Sequence, residues 1–190
     1  MRSGRRNKVV RVEPFGRELS LIVSSELREF VRECLRAAPA YFWWVPASFS
    51  GHHPAFARSQ GGLVRHTKAA VVVFLDLAEA VGCGDRDACL AALILHDTLK
   101  CGVEPPLPPR TVPEHPLLPE SYYEGFGLKG LVAPEVWEAV FSRVRSHMGR
   151  WGPVMPSTRD QWLVHLADYV ASRGWAGGLA ETIEEGRLCG

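Results

Sequence analysis

The sequence predicts an all-α bundle of about six or seven helices, on the strength of three observations. Apolar residues recur at i, i+3 and i+4 spacing in several separated windows. Capping residues bracket most of those windows. One window, Ala88 to Leu95, is apolar on every side, as a helix at the centre of a bundle must be. The 190 residues are 46% apolar and 23% charged, enough for a domain with a complete core.

Residues 1–23 read as an N-terminal tail and arm. Its first eight residues are polar and basic. Pro14 and Gly16 then separate two apolar stretches, which suggests a short β-hairpin or extended arm. Residues 24–190 read as one helical domain. Ser24 and Ser25 offer N-caps to a helix whose inner face carries Leu27, Phe30, Val31, Cys34 and Leu35, and Pro39 limits it. Tyr41 to Gln60 reads as a structured loop, first aromatic, then rich in Ser, Gly, His and Pro.

From Gly62 to Val81 the helical pattern returns. Leu63, His66, Ala70, Phe74, Leu77 and Val81 share a stripe, and Gly82 supplies a stop. Asp85 caps the next helix, which ends at His96 and Asp97. Seven prolines make residues 102–119 largely irregular, with a capping box between Thr111 and Glu114 as one local option. Pro134 opens a helix with Val136, Val140, Val144 and His147 near one face. Thr158 and Gln161 form a capping box for a last helix carrying Trp162, Leu163, Leu166, Ala167, Asp168 and Val170.

Bulk charge is uninformative: a formal net charge of +1 gives no argument for nucleic acid or a membrane surface. Only Lys8, Lys68, Lys100 and Lys129 are lysines. The arginine preference fits either a GC-rich genome or phosphate recognition. Five cysteines without a C-x-x-C pair argue against a disulfide framework or thiolate zinc site. No apolar run reaches the roughly 18 residues of a membrane span. The expectation is a cytoplasmic protein with free thiols.

The chemistry lies in polar residues placed on apolar helices. His66, His147 and Asp168 interrupt stripes that face the core, and His96-Asp97 ends the most buried helix. An unpartnered buried carboxylate is costly, and a buried imidazole needs its ring nitrogens satisfied. Each residue alone has an ordinary reading. A lone histidine is usually a satisfied core residue, a His-Asp pair is common by chance, and Asp168 can cap a turn or meet an arginine. Together they require separate accidents on four helices. A shared divalent cation is simpler, and imidazole with carboxylate suits Mn, Fe, Co, Ni or Zn.

The order His66, His96-Asp97, Asp168 resembles the HD superfamily of metal-dependent phosphohydrolases. "GGLVRHTKA" (61–69) is similar to the stretch around the first histidine, and "AALILHDTLKCG" (91–102) to the HD helix and its turn. "SHMGRW" (146–151) and "VHLADYVASR" (164–173) resemble the end of HD domains that include YqeK-type dinucleotide hydrolases. Residues 46–67 are similar to HD domains of the YhaM exoribonuclease type. The resemblance covers roughly residues 40–175. It implies four metal ligands, with the HD aspartate bridging a second ion where further histidines are present. His115 and His147 stand where such histidines are expected. The implied set is His66, His96, Asp97, His115, His147 and Asp168, holding one or two divalent ions.

Around that set, Asp97 is expected to steer the attacking water as well as hold metal. Lys100, three residues on, projects near the site and is expected to neutralise a phosphoryl oxygen; a solvated helix-end lysine is the alternative. His52 and His53 either line the cleft mouth or serve the loop. Arg65, Arg145, Arg150 and Arg173 neighbour ligands in sequence, and Arg150 and Arg173 are the expected phosphate contacts. His165 reads as support or packing. The aromatic run Tyr41–Trp44 either stacks a base or packs the core.

Three functions compete. The first is hydrolysis of phosphate mono- or diesters of a small phosphorylated substrate, a nucleotide, by metal-activated water. The second is a nuclease on RNA or single-stranded DNA. The third is a non-catalytic metal- or nucleotide-binding regulatory domain. No membrane partner is implied, and the oligomeric state is not read from sequence.

Overall fold

The computed structural model describes residues 13–49 and 53–173. His52 and Cys189 lie outside them. The described residues form seven α-helices and no strand: α1 (Gly16–Ser20), α2 (Ser25–Ala37), α3 (Gly62–Val81), α4 (Arg86–Leu95), α5 (Leu118–Gly125), α6 (Pro134–Ser146) and α7 (Arg159–Ala171). No helix among them is long and apolar enough to cross a membrane.

Helix α4 is the axis of the bundle. It packs against α2, α3, α6 and α7, while α3 and α7 lie along each other. Every side chain from Ala88 to Leu95 is buried, so the all-round apolar composition is met by neighbours on all sides. Its start is fixed by Asp85, whose carboxylate accepts from the Ala88 N–H. Ser24 caps α2 through the Leu27 N–H, and Thr158 and Gln161 close a reciprocal capping box on α7. Gly82 ends α3 at φ 76°, where a side chain would be strained.

Two expectations are corrected. No hairpin forms in residues 13–23: Glu13–Phe15 is a 3-10 turn that runs into α1. Phe15, Leu19 and Ile22 recur at three- and four-residue spacing and are all buried, which is a helical pattern. Lys68 on α3 fixes this segment, with Nζ 2.8 Å from both Glu18 carboxylate oxygens. The capping box at Thr111 also does not form. The next turn starts at His115, with Glu114 as its N-cap and no side-chain bond. Regular structure therefore resumes inside the proline-rich stretch, as Pro116 and Pro119 occupy first-turn positions that need no N–H.

Asp160, at the start of α7, ties three segments together. Its carboxylate accepts from the Gly84 and Asp85 N–H groups, each at 2.9 Å, and pairs with Arg143 at 2.7 Å. Cys34, Cys83, Cys89 and Cys101 are free thiols. Burial alone would raise the Asp160 pKa, but the two N–H donors and Arg143 outweigh it and bring it to about 2. That lies below the unfolded value near 3.9, so the stabilisation is present above about pH 4 and disappears as pH falls through about 2. Asp160→Asn is expected to lower stability at pH 7 by about 3 kcal/mol, because Arg143 loses its buried partner. Urea unfolding checks this, and the gap between variant and parent should narrow between pH 4 and pH 2.

Candidate metal centre

Three of the histidines are aimed by the same local device. His96 and His147 cap the ends of α4 and α6, His115 closes a turn from Val112, and each places Nδ1 against the carbonyl three residues back. The distances are 2.6 Å to Leu93 O, 2.8 Å to Val112 O and 2.7 Å to Val144 O. A carbonyl only accepts, so each Nδ1 carries the proton and each Nε2 presents a lone pair. The rings point these lone pairs toward Asp97. His66 comes from the first turns of α3 and Asp168 from the last turns of α7, where their helices lie side by side.

The ligand atoms converge on Asp97, whose two oxygens face different partners. Oδ2 lies 3.5 Å from His96 Nε2 and 3.9 Å from His66 Nε2. Asp168 Oδ1 completes that side, 2.8 Å from His66 Nε2 and 3.5 Å from His96 Nε2. Oδ1 lies 3.2 Å from His115 Nε2 and 3.7 Å from His147 Nε2. His66, His96 and Asp97 therefore form one compact donor group, and Asp97, His115 and His147 another.

This arrangement leaves acceptors facing acceptors. His115 Nε2 and His147 Nε2 are 3.2 Å apart with both Nδ1 protons committed elsewhere. His96 Nε2 and Asp97 Oδ1 are buried without a hydrogen-bond partner among the described residues. Lone pairs held this close repel unless a positive centre lies among them. The donor set, imidazole and carboxylate, suits a divalent transition metal.

Burial opposes charge on His96, yet the Asp97 and Asp168 carboxylates raise its pKa to about 10, so without a cation this ring is protonated and its Nε2 proton must leave when a metal binds. Burial also works against the Asp97 and Asp168 carboxylates. Lys100 and His96 hold the first ionised, well below the usual range, and His66 and His96 do so for the second. Burial, with His96 and His115 beside it, lowers His147 to about 3. The pocket thus keeps its carboxylates anionic and His147 neutral, the protonation states that ligation requires.

Surrounding residues hold the candidate ligands in place. The Tyr41 hydroxyl donates to Gly102 O at 2.8 Å and accepts from the Cys101 N–H at 3.2 Å, pinning the turn after Asp97. His165 donates from Nδ1 to the His147 carbonyl at 2.7 Å. Gly149, at φ 57°, lies so close to His165 that a Cβ would come within 2.5 Å of its ring.

A cavity of about 730 Å³ opens over the centre. Asp97, Lys100, His53, His115, His165, Asp168 and Arg173 line it, with Phe49, Met148, Trp151 and Tyr169 among its apolar walls. Lys100 Nζ lies 2.6 Å from Asp97 Oδ2 and is buried, so it is not a solvated helix-end lysine. His53 packs its ring edge-on against His66, 4.8 Å between centroids. Arg173 reaches the cavity, whereas Arg150 is exposed over the Trp151 ring and outside the lining. Arg65 and Arg145 serve the fold instead. Arg65 clamps Phe56 O, Ser59 and Gln60 O, and Arg145 pairs with Glu120 and Glu138. Tyr41 and Phe42 are core residues. Trp151, Tyr169, Phe49 and Met148 were not singled out from sequence. The i, i+4 pair Tyr169 and Arg173, beside Asp168, is a signal for Tyr169 alone; Phe49, Met148 and Trp151 carry none.

Comparison with known proteins gives one relative. A dihydroneopterin 2',3'-cyclic phosphate phosphodiesterase from Methanocaldococcus jannaschii is 28% identical over 145 residues, covering 68% of this chain and 52% of the relative. The chain thus spans about half the length of that protein. No family model matches, and no solved structure matches.

Stripping divalent metal with a chelator is expected to lower the melting temperature, and adding Mn²⁺ to raise it by several degrees, as ligand linkage requires at saturating ion. Gly149→Ala should displace His165 from the His147 carbonyl and weaken Mn²⁺ binding by about 10-fold or more. Calorimetric titration of both proteins reads this; equal affinity would remove His165 from the support of the site.

Proposed function

We propose that this chain is a metal-dependent phosphohydrolase of the HD kind, cleaving phosphodiesters or monoesters of a small phosphorylated compound, a nucleotide or a molecule of similar build. The observation that carries this reading is the shared carboxylate. Asp97 turns one oxygen to His66 and His96 and the other to His115 and His147, which fits two cations bridged by one side chain.

Cations held there supply two things: water acidified toward neutral pH and charge to offset the phosphoryl oxygens. The chain's own residues do the rest. His66, His96, Asp97 and Asp168 would hold one cation, and His115, His147 and the second oxygen of Asp97 would hold the other. Asp97 also accepts a hydrogen bond from the attacking water and so aims it at phosphorus. Lys100, 2.6 Å from Asp97 Oδ2 and facing the cavity, swings its ammonium onto a phosphoryl oxygen as negative charge builds. His53 and Arg173 contact the substrate from the cavity wall. Water adds to phosphorus, one P–O ester bond breaks, and the leaving oxygen takes a proton.

The cavity volume falls in the range of sites for small ligands, about 300–1,000 Å³, which favours a small molecule over a nucleic acid strand. The relative's cyclic phosphodiester makes a cyclic phosphate of a pterin or nucleoside the first substrate to test. With Mn²⁺, Ni²⁺, Co²⁺ or Fe²⁺ supplied, Asp97→Ala is expected to abolish both metal retention and turnover while helical content stays intact. Lys100→Met should keep its metal and lose about 10²-fold in kcat. Unchanged activity in Asp97→Ala would overturn the assignment.

A further inference from the structure

We infer that the cavity contains a second subsite, an aromatic platform built by Trp151 with Tyr169, Phe49 and Arg173, that binds a planar heteroaromatic ring attached to the phosphate ester. The inference rests on the phosphohydrolase reading for the ester and on separate observations for the ring.

Trp151 and Tyr169 stack nearly parallel, 5° between planes and 5.2 Å between centroids. A guanidinium lies on each ring: Arg150 Cζ is 4.5 Å from the Trp151 centroid, and Arg173 Cζ is 4.1 Å from the Tyr169 centroid. The result is a flat, layered wall of alternating cation and π-surface. Among the described residues neither guanidinium is ion-paired with a carboxylate.

Trp151, Tyr169 and Arg173 line the same cavity as Asp97 and Lys100, while Arg150 backs Trp151 from outside the lining. Yet Trp151 remains 50% exposed and Phe49, also in the lining, 42% exposed. Aromatic surface left exposed in the wall of a concave site is a usual means of holding a planar ring. Core packing does not account for them, in contrast to buried Tyr41 and Phe42. Arg173 adds direction. Its fork of N–H donors suits adjacent carbonyl and ring-nitrogen acceptors, as in an oxo-bearing fused bicycle. A guanine and a pterin both present that edge. The platform is thus expected to select for a fused, oxo-bearing ring over a phosphodiester that lacks one.

The test separates ring binding from hydrolysis. Neopterin and guanosine, which carry no phosphate, are titrated calorimetrically into the wild-type protein, Trp151→Ala, Trp151→Phe and Arg173→Ala. Trp151 is half-exposed, and circular dichroism checks that each variant folds. Saturable binding of either compound is expected in the wild type. It should weaken at least 10-fold in Trp151→Ala, recover in Trp151→Phe, and weaken in Arg173→Ala. The stronger of the two ligands identifies the ring. Absence of binding by both at millimolar concentration, or equal affinity in Trp151→Ala, overturns the inference.

A parallel assay compares guanosine 2',3'-cyclic phosphate with glycerol 1,2-cyclic phosphate. Trp151→Ala should raise KM at least 10-fold for the first and leave the second within twofold. An equal rise for both overturns the platform. Ring binding without hydrolysis of any ester supports the platform and contradicts the hydrolase reading.

Discussion

The Asp97 carboxylate is the constraint around which the rest is organised. It sits just past the end of a helix buried on all sides, itself buried at the floor of the cavity, with histidines facing each of its oxygens. A charge in that position is tolerable only with strong compensation. Lys100 supplies one positive charge, 2.6 Å away, but Oδ1 has no hydrogen-bond partner among the described residues. The fold accepts that cost at one point and surrounds it with imidazoles whose Nε2 lone pairs turn inward. Such a cluster is poorly stabilised as protein alone and well stabilised around cations.

The bundle meets the demand by modest means. The three histidines bonded to the carbonyl three residues back need no distant partner to fix their tautomer, because the turn preceding each one provides it. The longer-range work falls to a few residues. Tyr41 pins the turn after Asp97, His165 holds the His147 carbonyl, and Asp160 locks α7 to the start of α4 and to α6. Of these, Tyr41 and Asp160 act from outside the cavity lining, and His165 supports His147 from the cavity wall itself.

Much of this was legible in the sequence. Helical periodicity and caps identified α2, α3, α4, α6 and α7, because those helices bury one stripe or all of their surface. His66, His96, Asp97 and Asp168 stood out because polar groups interrupted apolar patterns. His115 did not, since its proline-rich surroundings have no period to interrupt, and only the family resemblance pointed there. Residues 13–22 read as an arm because Pro14 and Gly16 obscure a short helical repeat in Phe15, Leu19 and Ile22. The choice among arginines was illegible for a different reason. Closeness in sequence to a ligand does not say which way a side chain leaves its helix, and Arg65 and Arg145 are used by the fold. The stack of Trp151 on Tyr169 joins a loop to a helix eighteen residues on, a pairing that no local pattern encodes.

The central claim is that cations share Asp97. Anomalous diffraction from crystals grown with Mn²⁺ tests it most directly. The account predicts one peak among His66, His96, Asp97 and Asp168, and a second among Asp97, His115 and His147, roughly 3.5–4 Å from the first. Saturating Mn²⁺ with no anomalous peak in contact with Asp97 would contradict it.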